Sequence, residues 1–138
     1  LITRSPEETL AWAESFAQRL RPGDVVCLSG ELGAGKSVVA RGIGKGLGVK
    51  DDILSPTFNY VLEYEGRAPL FHADLYRLRD ANDFVALGLE EYFERDGIFL
   101  IEWPERIADL LPETCYHIHL DILPSMTDRS ILMSEPKA

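Results

Sequence analysis

Residues 30–37 read GELGAGKS and fit the pattern G-x-x-x-x-G-K-[ST], between an apolar run at 25–28 and a segment with helical potential. That context defines a phosphate-binding loop. Gly30, Gly33 and Gly35 permit backbone angles that other residues resist, so successive N–H groups can converge on an anion while the following helix aims its N-terminus at the same point. The spacing assigns nucleotide contacts to Glu31, Leu32, Gly33, Ala34, Gly35, Lys36, Ser37 and Val38. In this arrangement Lys36 reaches the β- and γ-phosphates, and the Ser37 hydroxyl holds a magnesium ion that bridges them.

A loop of this class needs a carboxylate near the metal and commonly a second that orients the attacking water. Two acids end apolar runs: Asp74 closes PLFHAD and Glu102 closes IFLIE. Both are candidate catalytic groups, Glu102 as a metal ligand and Asp74 as a ligand, a water-orienting acid, or a cap for the bend at 75–77. Thr57 follows Pro56 in S-P-T, where the proline biases Ser55 away from helix and presents the threonine hydroxyl from an extended loop that can sense a γ-phosphate. Trp103 adjoins Glu102 and precedes Pro104, which places its indole at the site's edge or in the core. His72, His117 and His119 show no metal-ligand spacing, and the last two are expected to share one face of a strand.

The elements that position these residues follow from periodicity and punctuation. Ser5 is expected to cap a helix with Pro6 at its first position and Glu8 closing a capping box. Leu10, Ala13, Ala17 and Leu20 mark its buried stripe, and Arg21, Pro22 and Gly23 stop it. Residues 24–29 form a buried strand, and a helix runs from 36 to 47 with Gly48 as terminator. The segment after Pro56 alternates Phe58, Tyr60, Leu62 and Tyr64 on one face and pairs through a turn at 65–67 with a strand at 69–75. Asp80 caps a helix carrying Phe84, Leu87 and Leu89, interrupted by Gly88. Residues 98–101 read as a strand buried on both faces, 116–122 as an alternating strand, and the chain beyond Pro124 as polar apart from residues 131–133. This order argues for an α/β fold: a P-loop NTPase-like mixed sheet flanked by helices, one domain over residues 1–138, with ligands beyond the carboxyl ends of the parallel strands.

The 138 residues carry a formal net charge of −9, which disfavours unaided binding to a polynucleotide. Arg41 and Lys45, four apart on the helix after the loop, are the one local basic pair weighed against that trend. Cys27 and Cys115 lack any C-x-x-C spacing, so they read as buried thiols in a reducing compartment rather than a disulfide or zinc site. No stretch has the length of a membrane span and residues 1–20 do not resemble a signal peptide, so a cytoplasmic location is expected.

Taken together, GELGAGKS, Arg41-Gly42, Leu47-Gly48, SPTF at 55–58, HADLYRL at 72–78, LGLEEYF at 87–93 and IEW at 101–103 resemble the TsaE (YjeE) family of bacterial P-loop ATPases. The resemblance implies a cytoplasmic protein that binds and hydrolyses ATP with Mg2+, slowly when alone. It also implies work with the TsaB–TsaD heterodimer in making threonylcarbamoyladenosine in tRNA, the tRNA being met only through the complex. It places Lys36 on the phosphates, Ser37 and Glu102 at the metal, Asp74 as a further metal-site or catalytic acid, and Thr57 in a switch-like loop. Adenine contacts are implied before the first helix and near the C-terminus, where Ser5, Glu7 and Arg129 are the candidates and residues 124–138 match weakly. Departures are mild: Ser37 stands for a commoner threonine, Ala73 for an aromatic, and Val38-Val39 for more polar residues. The rival readings are a small-molecule kinase, which needs an acceptor pocket and a lid, and a nucleotide-gated binding module whose hydrolysis is incidental.

Overall fold

In the computed structural model, which describes residues 1–54 and 60–136, a mixed seven-stranded sheet carries helices on both faces. The elements in chain order are β1 (Ile2–Thr3), α1 (Pro6–Ala17), β2 (Val25–Gly30), α2 (Lys36–Gly46), β3 (Val61–Tyr64), β4 (Leu70–Asp74), α3 (Ala81–Ala86), a 3₁₀ turn (Leu89–Phe93), β5 (Ile98–Glu102), a kinked 3₁₀ segment (Pro104–Leu110), β6 (Cys115–Ile122) and β7 (Arg129–Ser134). The sheet order is β1-β7-β6-β2-β5-β4-β3. The central strands β6, β2, β5 and β4 are parallel, while β3, β7 and β1 add antiparallel edges.

Two cores follow from this sandwich. On one face α1 and α2 cover Val26, Leu28, Leu70, Ile98, Leu100, Ile118 and Leu120. On the other, α3 and the two 3₁₀ segments bury Val25, Cys27, Phe71, Phe99 and Ile101 around Phe84. Alternate residues of each strand serve opposite cores, which is why β5 is buried along its whole length. Helix α2 lies close against α1: a Cβ on Gly42 would meet Ala13 Cβ at 2.5 Å, and one on Gly46 would meet the Glu14 carbonyl oxygen at 2.5 Å.

Local chemistry sets the ends. Ser5 accepts from the Glu8 amide at 3.1 Å, as the cap pattern requires, but the Glu8 carboxylate accepts from the Arg4 amide at 3.0 Å rather than closing on Ser5. Helix α1 ends at Ala17, earlier than the breaker at 21–23, and tighter turns carry the chain to Leu20. Arg67 Nη2 then donates to the Ala17 and Leu20 carbonyls at 2.6 and 3.0 Å, so the helix end has its acceptors satisfied from across the fold.

Three expectations are corrected. Tyr60 takes a left-handed backbone (φ 60°), so β3 begins at Val61 and Tyr60 packs on the opposite core from Leu62 and Tyr64. Leu87 is 51% exposed: α3 ends one residue before it and Gly88 (φ 73°) turns the chain, so only Phe84 and Leu89 of that trio are buried. The C-terminal segment is a full strand, β7, which pairs with β6 and with β1.

Candidate functional site

The loop at 30–35 connects the central strand β2 to α2, so the helix N-terminus sits beyond the carboxyl ends of the parallel strands. Two glycines make that connection possible. Gly30 has φ 147° and a Cβ there would lie 2.7 Å from the Leu120 carbonyl oxygen, whereas Gly35 starts the helix from the left-handed region at φ 106°. Leu32 at the loop tip is exposed and Ala34 is buried beneath it.

Lys36 is 7% exposed, and its ammonium donates to the Gly30 carbonyl at 2.6 Å while lying 4.0 Å from the centre of the Trp103 indole. Burial pushes this ammonium below the ordinary lysine range, with the Glu102 and Asp74 carboxylates pulling the other way. A desolvated cation held near two acids is prepared for an anion that brings more negative charge.

The acids come from neighbouring strands. Parallel register pairs Asp74 of β4 with Glu102 of β5, both at strand ends and both on the face that α2 covers. Lys36, Ser37, Asp74, Glu102 and Trp103 line one cavity of about 190 Å³ together with Leu32, Gly33 and Gly35. Burial raises the Asp74 carboxyl above its usual range, the Tyr76 amide that donates to it at 3.0 Å opposes that rise, and the Glu102 charge reinforces it. Asp74 thus both caps the bend after β4 and faces the cavity, so the two expectations for it are not exclusive.

Glu102 is 6% exposed, and its Oε2 lies 2.7 Å from Nε2 of the fully buried His72. His72 Nδ1 has no partner among the described residues. Sequence reasoning passed over His72 because it looked for metal spacing. The available signal was its position two residues before Asp74, which puts both on one face of a strand.

Trp103 takes a left-handed backbone (φ 60°), a conformation that costs a bulky residue of order 1–3 kcal/mol. Its ring packs against Tyr76 with centroids 5.0 Å apart, and Arg106 lies 6.0 Å from its centre. The strained turn brings the indole to the cavity lining, and the same ring also packs against the core on the α3 face, so it serves both places.

A second cavity of about 220 Å³ adjoins the loop on its other side, lined by Ser5, Pro6, Thr9, Gly33, Gly35, Ser37, Val38, Thr127 and Arg129. Ser5 and Arg129 are therefore brought to the loop, whereas the exposed Glu7 is not among the lining residues. Arg129 does something composition could not indicate. Its guanidinium donates to the Ala34 carbonyl at 3.0 Å, to that of Gly33 at 3.3 Å, and to those of Met126 and Asp128 at 2.9 and 3.1 Å. Because the two ends of a trans peptide point oppositely, holding the Ala34 carbonyl directs the Gly35 N–H away from Arg129. The expected contact Thr57, with Ser55 and Pro56, lies outside the described residues.

The donor set fits a hard divalent cation: a serine hydroxyl and two carboxylates, one of them raised by burial and by its neighbour's charge, are groups that a small cation would stabilise. Ser37, Glu102 and Asp74 are the residues available to hold it. No described helix is long and apolar enough to cross a membrane.

A mixed α/β sheet whose central strand feeds a glycine loop into a helix, with acids ending the next two strands on one side, defines the P-loop NTPase class of fold. The family model described as "Threonylcarbamoyl adenosine biosynthesis protein TsaE" matches residues 3–131, and the chain belongs to that family. Among its relatives, the tRNA threonylcarbamoyladenosine biosynthesis protein TsaE of Treponema pallidum is 40% identical over 122 residues, covering 88% of this chain and 90% of that protein. The Bacillus subtilis protein of the same name is 45% identical over 112 residues, covering 80% and 70%. A crystal structure of Bacillus subtilis YdiB superposes with a TM-score of 0.82 at 36% identity, over 99% of this chain and 84% of that one.

Proposed function

We propose that this chain binds ATP with Mg2+ and hydrolyses it, and that it does so as an accessory to a TsaB–TsaD pair that modifies tRNA with threonylcarbamoyladenosine. One observation carries the enzymatic part: Lys36, Ser37, Asp74 and Glu102, drawn from three different elements, face a single cavity at the mouth of the glycine loop. The pathway and the pair rest on membership in the family.

The residues divide the work as follows. Loop amides and the α2 N-terminus hold phosphate oxygens, and Arg129 keeps the loop in the shape that presents them. Lys36 exchanges its bond to the Gly30 carbonyl for one to the phosphates, where its charge offsets the charge developing in transfer. His72 holds the Glu102 carboxylate in one rotamer. Asp74 orients the attacking water. Ser37 and Glu102, with Asp74 beside them, would hold a magnesium ion, whose charge would offset that of the phosphate oxygens. Ser5 and Arg129 flank the space left for the base and sugar.

With a net charge of −9, the chain leaves tRNA to its partners. Reconstituted modification with the purified pair and excess tRNA tests the proposal. Product is expected to stop near one round without this protein and to continue with it, while Lys36→Ala should leave it stalled. Product that accumulates freely without the chain removes the proposed role. Full support by Lys36→Ala would favour a nucleotide-gated module that has no need of hydrolysis.

A further inference from the structure

On the sheet face opposite α1 and α2, the parallel register of β2 and β6 pairs Val25 with Cys115 and Cys27 with His117. Odd-numbered residues of both strands share that face, so two cysteines and a histidine converge although 88 positions separate the cysteines in sequence. Cys27 Sγ, Cys115 Sγ and a ring nitrogen of His117 all lie within 4.8 Å of one another, with Cys115 Sγ 3.1 Å from His117 Nε2. Both cysteines are free and buried, whereas His117 is exposed.

We propose that Cys27, Cys115 and His117 form a binding site for a thiophilic divalent cation, with zinc as the fitting ion. Zinc bonds of about 2.3 Å to sulfur and 2.0–2.1 Å to nitrogen place tetrahedral ligands about 3.5–3.8 Å apart. Adjustments of up to about 1.3 Å, within reach of side-chain rotation, take the observed cluster to that geometry. A disulfide does not compete. Cys27 lies two residues past the position paired with Cys115, so a rise of about 6.6 Å and a strand spacing of about 4.8 Å separate their Cα atoms by roughly 8 Å, beyond disulfide reach.

The fourth position is accessible. His117 lines a cavity of about 260 Å³ with Ser29, Pro104, Glu105, Ala108 and Leu111, through which a water or the Glu105 carboxylate can complete the coordination. The ordinary role for two buried thiols is packing, and that role explains Cys27 and Cys115 taken singly. It does not explain an exposed histidine with its Nε2 turned onto one of them beside an open cavity. Bound zinc would displace the thiol protons and join β2 to β6 three residues before Gly30, at the base of the strand that delivers the loop.

Cobalt titration into the reduced, metal-free protein tests this directly, because a thiolate ligand produces an intense ligand-to-cobalt absorption band that oxygen donors around Ser37 and Glu102 do not. The band is expected to saturate at one equivalent of cobalt and to bleach with one equivalent of zinc. His117→Gln changes an exposed position that the fold does not need, and should weaken cobalt binding at least about tenfold, since even outer-shell partners of metal ligands are worth that much. Cys115→Ser should remove most of the band, with circular dichroism reporting whether it folds. Absence of a thiolate band in wild type, or a band of unchanged intensity and affinity in His117→Gln, overturns the proposed ligand set.

Discussion

The buried pair His72–Glu102 makes a claim that stability measurements can check without any nucleotide. Replacing His72 by Leu, of similar bulk, leaves the Glu102 carboxylate 6% exposed and without its 2.7 Å partner. A lost hydrogen bond to a charged group costs about 1.5–3 kcal/mol. The same change also removes His72 Nδ1, a buried nitrogen without a partner among the described residues, which returns about 1 kcal/mol. A net loss of about 0.5–2 kcal/mol is expected, which for a chain of this length lowers Tm by roughly 2–7 °C. Glu102→Gln removes the buried charge while its amide oxygen can still accept from Nε2, so its own cost should stay below about 1 kcal/mol. In the Glu102→Gln background, His72→Leu no longer strands a carboxylate and should cost about 1 kcal/mol less than in wild type. Urea denaturation of wild type, the two single variants and the double variant, followed by circular dichroism at fixed pH, yields this coupling. Additivity within about 0.3 kcal/mol would refute the reasoning and leave His72 as packing alone.

Three further outcomes follow from the same cavity. Glu102→Gln should lower Mg-dependent phosphate release about a hundredfold or more while changing ATP affinity little, because the carboxylate acts on charge that develops in transfer; equal losses in calorimetry and turnover would make it structural. Asp74 has a folded-state pKa raised mainly by burial, so its contribution to stability is greatest below the ordinary aspartate value and declines as pH rises through the raised one. Asp74→Asn, which retains an acceptor for the Tyr76 amide, should therefore match wild type near pH 4, melt at a higher temperature than wild type at pH 7, and hydrolyse ATP more slowly; a lower Tm at pH 7 contradicts the assignment. Trp103 fluorescence should change on adding Mg-ATP as Lys36 leaves the indole 4.0 Å away, and the change should vanish in Trp103→Phe but survive in Trp12→Phe, since Trp12 stacks on Phe16 in α1.

The parts of the site that were legible in sequence are those whose chemistry is local. The loop, its flanking strand and helix, and an acid at the end of each of two apolar runs are contiguous patterns, and the fold places them together. What was not legible depends on register between distant segments. The link from His72 to Glu102, the latch of Arg129 on the loop carbonyls, and the convergence of Cys27 with Cys115 and His117 each join residues that nothing in their neighbourhoods connects. Strand β1 is too short for any periodicity, and β7, which lies between β1 and β6, alternates weakly, with pairing rather than burial to define it. Tyr60 and Leu87 failed for a different reason: each sits where one residue in the left-handed region, Tyr60 itself or Gly88, breaks a pattern that periodicity continues.

The central claim is that Lys36, Ser37, Asp74 and Glu102 form one site that binds and hydrolyses ATP. Lys36→Ala tests it most directly, because removing this side chain deletes one hydrogen bond to Gly30 and a desolvated charge, effects of about 1 kcal/mol that oppose each other, so the fold should melt within a few degrees of wild type. Calorimetric titration with Mg-ATP, together with phosphate release in the presence of the TsaB–TsaD pair, should show for this variant a loss of about 10²–10³ in turnover or affinity. Wild-type binding and wild-type turnover in a folded Lys36→Ala protein would contradict the account.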